Sequence, residues 1–330
     1  MASAIAGVVV ALWLAVAGAG AWALVWQQLA QRIVKGAVIN SVSDFRPRLT
    51  FQIDRLGEHL RFALDTIGWS IMTFVGRQSD TLIIGKILGA STLGLYNVAV
   101  RVMQLPVNIF GGSLNSALYP RLVHVRDDPR ALREIVLTIS MAQAALVFPP
   151  IAAIAAAGEA FFKLLLSDRW TGAGNIFTLL AATAAVQTVV GLNGSLLQAI
   201  GQTGARLRLT VEFALLWAVS AFILAHFGID AVALGSSVVT LAYMPRLLHL
   251  YLRPIACSSF DYCRALAGPV AISLAIFVVH RVLMHVFVMD AWPQVGIAVV
   301  ETLVGYLLLL TLGRRIVAEK IASMRTIFAT

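Results

Sequence analysis

Charge is scarce in this sequence. Charged residues make up 12% of the 330 residues and hydrophobic residues 59%, whereas a soluble domain carries about 25% charged residues. Together with a mean hydropathy of +0.86, this composition excludes an ordinary soluble domain. The sequence also lacks ten-residue segments of alternating hydrophobicity, and Pro and Gly interrupt its apolar runs, which favours helices over a β-barrel. We therefore predict an all-α, polytopic membrane helix bundle.

Motifs for catalysis and for metal binding are also missing. The sequence has no GxxxxGK[ST] loop, no GxGxxG after a strand, no HExxH and no cluster of loop carboxylates, so nucleotide-dependent and metal-dependent chemistry is not indicated. The only two cysteines, Cys257 and Cys263, have no histidine or second pair to complete a zinc set. They are predicted to be thiols outside any disulfide. We expect no cofactor, no metal and no enzymatic activity.

Long apolar runs are what the sequence has instead. Crossing about 30 Å of hydrocarbon takes roughly 20 residues, and ten runs of suitable length and composition can be found. They cover 2–18, 20–40, 60–84, 92–118, 131–156, 174–199, 205–226, 229–250, 264–285 and 294–313. The first run has no Lys or Arg before it and is interpreted as a span, not as a signal peptide. The segment 159–170 is too short to cross and is predicted to be an amphipathic interfacial helix.

Basic residues support this division into spans. The net charge of +9 does not predict a nucleic-acid partner, because the lysines and arginines lie between apolar runs and form no single stripe. With the N-terminus placed in the cytoplasm, nineteen of the 25 lysines and arginines are assigned to the inside and four to the outside. This imbalance obeys the positive-inside rule and predicts that both termini are cytoplasmic.

Polar residues within the spans follow helical stripes at 100° per residue. Five residues of the fourth span lie within an arc of about 60° by this spacing: Asn97, Arg101, Gln104, Asn108 and Asn115. A second stripe on the third span holds Thr66, Trp69, Thr73, Arg77 and Asp80, and the sixth span carries a line of Thr183, Gln187, Gly191, Gly194 and Gln198. Because polar side chains avoid lipid, these stripes are expected to face the bundle interior or a water-filled cavity.

Two arginines are predicted to lie at one level of the membrane. On antiparallel neighbours, Arg77 and Arg101 would each lie roughly 13 Å from the outer boundary at 1.5 Å per residue. A guanidinium stays charged and matches phosphate or carboxylate oxygens, so the pair predicts an anionic ligand such as a diphosphate. The structural alternative is that Arg77 pairs with Asp80 on its own helix, and that Arg101 pairs with an acidic residue of another span.

The acidic residues within later spans have two interpretations. Glu212 and Glu301 are candidates for proton or ion coupling, since burial favours the protonated carboxyl. The alternative for each is a hydrogen bond between helices, or an ion pair with Arg101.

Four stretches carry a resemblance to a known family: "WALVWQQLAQRIVK", "DTLIIGKILGASTLGLYNVAVRVMQLP", "DDPRALRE" and "GLNGSLLQAIGQT". They resemble flippases of the polysaccharide transport family, within the multidrug/oligosaccharidyl-lipid/polysaccharide exporter superfamily. The similarity is to exporters of the lipopolysaccharide O-antigen, colanic acid and teichuronic acid type. The positions carried over by the resemblance are Arg77, Asp80, Lys86 and Arg101.

The resemblance implies two pseudo-symmetric six-helix lobes around a cationic cavity, followed by two further helices. It implies alternating-access flipping of polyprenyl-diphosphate-linked oligosaccharide across the bacterial inner membrane, for synthesis of a surface polysaccharide. The substrate-binding residues expected on this basis are Arg77, Arg101, Asp80, Lys86, Gln104, Asn108, Asn115 and Gln187. Expected partners are the lipid-linked oligosaccharide, membrane lipids, a polysaccharide polymerase and export proteins.

The ten spans fit the fifth to fourteenth helices of such a flippase. Residues 1–58 would hold the last two helices of an incomplete first lobe and a cytoplasmic linker, 59–253 a complete second lobe, and 254–330 two additional helices and a tail. The first four helices would then be missing, as in a truncated product, a partial gene model or a chain that needs a partner. Two other functions stay open: a membrane-embedded glycosyltransferase, ligase or polymerase acting on polyprenyl-linked glycans, and a small-molecule exporter of the same superfamily.

Overall fold

The computed structural model describes residues 2–20, 22–42, 74, 78–108 and 113–312. Within these ranges the chain is helical and no residue forms a strand. The helices are α1 (Ala2–Val16), α2 (Trp22–Val42), α3 (78–87), α4 (Gly89–Pro106), α5 (Ser113–His124), α6 (Pro129–Leu165), α7 (Gly172–Val190), α8 (Asn193–Ala199), α9 (Thr203–Ala225), α10 (Ile229–Leu252), α11 (Ser259–Val286) and α12 (Ala291–Leu312). Short 3-10 turns occupy Asp168–Trp170 and Arg253–Ile255.

The chain divides into two compact units, Met1–Thr66 and Ile67–Thr330. The described part of the first unit is a helical hairpin in which α1 packs against α2. Gly18 and Gly20 have φ values of +79° and +53° in the turn, a left-handed conformation that glycine adopts without a steric penalty.

Helix α6 is the central helix of the second unit. Its 37 residues extend about 55 Å at 1.5 Å per residue, and α7, α11 and α12 all pack against it. The carboxylate of Asp128 accepts hydrogen bonds from the backbone N–H groups of Arg130 (2.9 Å) and Ala131 (3.2 Å), and Pro129 is the first helical residue. An Asp at the N-cap followed by Pro at the first helical position is typical of such a helix start.

Close backbone contact joins α6 to α7. A Cβ placed on Gly174 would overlap the backbone of Gly158 and Glu159, and a Cβ on Gly158 would lie 3.1 Å from the Gly174 carbonyl oxygen. Small residues allow membrane helices to approach in this way. The two glycines therefore determine how closely α7 lies against the central helix.

Buried hydroxyl groups connect α6 to its other neighbours. The fully buried Tyr262 of α11 donates to Ser140 Oγ of α6 at 3.0 Å and to the Val189 carbonyl of α7 at 3.1 Å. On α12, the Tyr306 hydroxyl donates to the Leu146 carbonyl of α6 at 2.6 Å. These contacts place the last two helices directly against the second unit's central helix.

Among the described residues, six helical segments are long and apolar enough to cross a membrane: Pro129–Leu165, Gly172–Ala199, Gly204–Ala225, Ile229–Ile255, Ser259–Val286 and Ala291–Thr311. They match the last six predicted spans. Helices such as α9 and α12 expose large apolar side chains, including Leu215 and Leu303, as expected of surfaces that face lipid. The chain is a multi-pass membrane protein.

Several of the predicted boundaries need correction. The interfacial helix predicted over 159–170 is wrong, because 159–165 continues α6, whose Phe162 is fully buried. The predicted span 92–118 covers part of α4, which ends at Pro106, and part of α5, which begins at Ser113. Residues 109–112 lie outside the described residues, so the continuity of this span stays a prediction. The predicted spans 2–18 and 20–40 are helices, but α1 is a shorter apolar helix and α2 is not among the six candidate spans. Most of the predicted span 60–84 lies outside the described residues.

Candidate functional site

The most specific stretch of the sequence, residues 80–96, forms a helical hairpin between α3 and α4. Gly89 begins α4 with φ of +86°, a conformation that favours glycine. The Tyr96 hydroxyl donates to the Asp80 carboxylate at 2.9 Å, and the Thr81 backbone N–H donates to the same carboxylate at 2.8 Å. A Cβ on Gly85 would lie 3.1 Å from the Leu93 side chain, so glycine at this position leaves room for the hairpin to close.

This geometry bears on the predicted role of Asp80. Its carboxylate receives two donors from the hairpin itself, and Tyr96 is buried. Asp80 therefore holds α3 against α4, whether or not it also contacts a ligand. The sequence identified Asp80 as a site residue but not its partner Tyr96, although Tyr96 stands in the same quoted stretch.

Helix α4 has one buried face and one polar face. Tyr96, Ala99 and Met103 are buried, and at 100° per residue they lie roughly opposite the predicted polar stripe. On that stripe Asn97 is half-buried, while Arg101, Gln104 and Asn108 are exposed. Placing exposed amide and guanidinium groups against lipid costs free energy, so we predict that this face lies against water or a ligand.

The structure gives less information about the other predicted binding residues. Arg77 lies outside the described residues, and so does the side chain of Asn115 on α5. The shared depth of Arg77 and Arg101 therefore stays a prediction. Lys86 is exposed near the end of α3, and Gln187 is half-buried on α7.

The polar line predicted on the sixth span is divided between two helices. Helix α7 ends at Val190 and α8 begins at Asn193. Thr183 is buried against α10, with its hydroxyl 3.1 Å from Ser236 Oγ and 3.3 Å from Ser237 Oγ. On α8, Gln198 instead accepts a hydrogen bond of 2.9 Å from Arg206 of α9. Only part of this line is therefore available for a ligand.

The two glutamates considered for ion coupling have different surroundings. Glu212 of α9 accepts two hydrogen bonds from the Arg246 guanidinium of α10, at 2.6 and 2.7 Å, and a third from the Tyr243 hydroxyl at 3.1 Å. The partner of Glu212 is thus Arg246 and not Arg101. A paired and partly exposed carboxylate of this kind favours a role in joining α9 to α10.

Glu301 of α12 lies against His280 of α11. The distance between Glu301 Oε2 and His280 Nδ1 is 2.8 Å, and the exposed side-chain fractions are 12% for the glutamate and 0% for the histidine. The partner of Glu301 is therefore His280 and not Arg101. The sequence does not pair His280 with Glu301, because it does not show which helix faces carry the two residues.

A small cavity of about 170 Å³ lies beside the N-terminal end of α4. Its walls are formed by Ala90, Ser91, Gly94 and Leu95 of α4, with Arg169 and Trp170. The predicted binding residues are not among the described residues that line it. The polar face of α4 is thus separate from this cavity.

Comparison with known proteins shows a relationship across most of the chain. The chain is 26% identical over 196 residues to "Succinoglycan biosynthesis transport protein ExoT" of Rhizobium meliloti, which covers 59% of this chain and 40% of that protein. It is 24% identical over 241 residues to "Lipopolysaccharide biosynthesis protein WzxC" of Escherichia coli, covering 72% and 49%. It is 22% identical over 200 residues to "Teichuronic acid biosynthesis protein TuaB" of Bacillus subtilis, covering 61% and 40%.

A solved structure has the same fold. "Lipid II flippase MurJ, inward closed conformation" superposes with a TM-score of 0.73 at 12% sequence identity, covering 96% of this chain and 67% of that one. The matches to the three relatives above span 40%, 40% and 49% of their lengths.

The relationship also extends to a whole protein family. Residues 1–175, more than half of the 330-residue chain, match the family described as "Polysaccharide biosynthesis protein". This range contains the α3–α4 hairpin, the polar face of α4 and all of α6. The resemblance inferred from the sequence is confirmed, and the chain belongs to the polysaccharide biosynthesis protein family.

Proposed function

We propose that this chain acts in translocating a polyprenyl-diphosphate-linked oligosaccharide across the bacterial inner membrane, for synthesis of a surface polysaccharide. The observation that carries the proposal is the polar face of α4. It places Arg101 and Gln104 on the exposed side of α4, whose opposite side is buried, and the exposed Asn108 lies two residues beyond the end of α4. The family, the transport protein among the relatives and the flippase fold support the same function.

The chemistry of that face suits a phosphorylated lipid. The Arg101 guanidinium keeps its charge and presents several N–H donors to phosphate oxygens, and the amides of Gln104 and Asn108 can donate to a phosphate or to sugar hydroxyls. In the proposed mechanism, Arg77, which precedes α3 in the sequence, supplies a second guanidinium at the same level. Lys86 and Gln187 extend the polar lining.

Movement of the substrate follows from alternating access. One repeat of a transporter rocks against the other around a central site, so the polar face of α4 would face the cytoplasm and the outside in turn. The close contacts within the second unit, such as Gly158 against Gly174, suit a body that moves as one piece. A polysaccharide polymerase and export proteins would receive the translocated unit.

The test is a set of variants of the protein as encoded at its native locus. Arg101→Gln removes the charge, Arg101→Lys keeps it without the planar fork, and Arg77→Gln tests the second arginine. Charged hydrogen bonds contribute roughly 1.5–3 kcal/mol, so Arg101→Gln is expected to lower export of surface polysaccharide about tenfold or more, with Arg101→Lys in between. Lipid-linked units should accumulate in the inner leaflet.

Arg130→Gln is the matched control, because Arg130 is exposed in the first turn of α6. It should leave export unchanged. The proposal fails if the double variant Arg77→Gln/Arg101→Gln, present at normal abundance, exports as much polysaccharide as the unmodified protein. An assay in reconstituted vesicles distinguishes a flippase from an enzyme. A flippase moves the lipid-linked glycan across the membrane without altering its mass, whereas a glycosyltransferase, ligase or polymerase changes that mass.

A further inference from the structure

We propose that His280 of α11 and Glu301 of α12 form a proton-binding site that couples a proton gradient to transport. The inference rests on the proposed function for its role in transport, and on the geometry of the pair for proton binding. His280 Nδ1 and Glu301 Oε2 are 2.8 Å apart, and the two side chains are exposed by 0% and 12%.

The pair is enclosed by close packing of three helices. One turn before His280, Ile276 packs in a cluster with Ala298 of α12 and Ala153 of α6. One turn after Glu301, a Cβ placed on Gly305 would lie 2.8 Å from the Ile276 side chain. The titratable groups therefore lie in an apolar setting where a net charge is expensive.

The pair has two states that differ by one proton and therefore by one unit of charge. In one state the pair holds two protons, one on His280 Nε2 and a second shared along the Nδ1 to Oε2 hydrogen bond, so the imidazole and carboxyl together are neutral and suit the dry site. Without that proton, the carboxylate leaves a net negative charge, which needs water or a cation. A proton taken from water onto the pair therefore favours the closed packing, and release of that proton to water favours an opened one.

Two further polar atoms distinguish this pair from an interhelical hydrogen bond with only a structural role. His280 Nε2 and Glu301 Oε1 are both buried and have no hydrogen-bond partner among the described residues. Buried polar groups in membrane and soluble proteins are nearly always satisfied. The packing thus leaves one donor or acceptor position open on each residue, where water could deliver or remove a proton when the helices separate.

Other charged and titratable groups on the helices around the pair lie elsewhere. On α6, Glu159 is exposed and Lys163 pairs with Asp168 at 2.8 Å, whereas Arg133 pairs with Asp261 of α11 at 2.7 Å. On α11, Arg281 and His285 are exposed. On α12, the Tyr306 hydroxyl donates to a backbone carbonyl. The remaining titratable residues of α6 and α11 are at or near their N-terminal ends: Arg130, Glu134, Tyr262, Cys263 and Arg264.

Proton binding is tested without reference to transport, by infrared difference spectroscopy of the full native-locus protein in lipid vesicles. A pH step should give a signal of a protonated carboxyl that is lost in Glu301→Gln and shifted in His280→Asn. Glu159→Gln, which changes an exposed glutamate, should leave the signal in place. Ser273→Ala, which removes another buried polar group from the same face of α11, should also leave it in place.

Coupling is tested in the same vesicles with a lipid-linked oligosaccharide and an imposed pH gradient. The gradient should accelerate translocation by the unmodified protein, and Glu301→Gln should lose that acceleration while Glu159→Gln keeps it. A carboxyl signal that survives Glu301→Gln overturns the proton site, whatever the transport result. If the unmodified protein gives the carboxyl signal of Glu301 but does not translocate the lipid-linked oligosaccharide, the flippase function is refuted and the proton site is still supported.

Discussion

The Tyr306 hydroxyl of α12 donates a hydrogen bond of 2.6 Å to the Leu146 carbonyl of α6. Leu146 is four residues before Pro150, which lies inside α6 and has no N–H to donate to that carbonyl. The phenol from the neighbouring helix therefore replaces the hydrogen bond that the proline removes. This contact explains how the central helix carries two adjacent prolines, Pro149 and Pro150, without leaving the Leu146 carbonyl unsatisfied.

Tyr306→Phe is expected to lower the free energy of unfolding by about 1 kcal/mol, the typical net value of one hydrogen bond. The measurement is the thermal unfolding midpoint of the purified protein in detergent. In a Pro150→Ala background the N–H of residue 150 can again donate to the Leu146 carbonyl. Tyr306→Phe should then lower the free energy of unfolding by much less than it does with Pro150 in place. Equal losses in both backgrounds would show that the phenol does not act through this carbonyl.

The cap of α6 offers a test with neighbouring residues. Asp128→Ala should lower the free energy of unfolding by about 1 kcal/mol, because it removes the acceptor for two backbone N–H groups. Asp127→Ala removes the same charge one residue earlier, from a side chain that is 91% exposed. Its unfolding midpoint should stay close to that of the unmodified protein, and equal midpoints for the two variants would contradict the assignment of the cap.

The contact between α6 and α7 predicts a strong effect of a single methyl group. Gly174→Ala would force its Cβ into the backbone of Gly158 and Glu159, so the helices must separate at a cost of roughly 1–3 kcal/mol. Gly268→Ala on α11 is the control, since a Cβ there meets no atom within 4 Å. Alanine is also the better helix former, so Gly268→Ala should be neutral or stabilising in thermal unfolding.

The α3–α4 hairpin predicts a coupling between Asp80 and Tyr96. Tyr96→Phe should destabilise the protein by about 1–3 kcal/mol, because the Asp80 carboxylate loses its phenol donor. In an Asp80→Ala background the same change should have a smaller effect, which a double-mutant cycle on unfolding midpoints would measure. Purely additive effects would mean that the two side chains act independently, and Tyr119→Phe on α5 serves as the control for loss of a phenol.

Local sequence rules predicted the elements of this protein well. Hydropathy and length alone located the last six membrane spans, because the bilayer demands a continuous apolar segment of nearly fixed length. The Asp128 cap was also predictable, since the interacting groups are only two and three residues apart. The polar stripe of α4 follows from helical periodicity, and its exposure opposite Tyr96, Ala99 and Met103 agrees with that pattern.

The contacts between helices could not be predicted in the same way. Glu212 was considered as a partner of Arg101 but pairs with Arg246, and Glu301 pairs with His280. Tyr306 contacts a residue 160 positions away. Which side chains meet depends on the rotation and axial offset of each helix, and these are decided by packing, as where Gly158 and Gly174 bring α6 and α7 together. By itself the sequence determined the last six membrane spans, the start of α6 and the family. Only the tertiary structure decided which buried polar groups face each other, because that choice minimises the free energy of the whole helix bundle and not of any single helix.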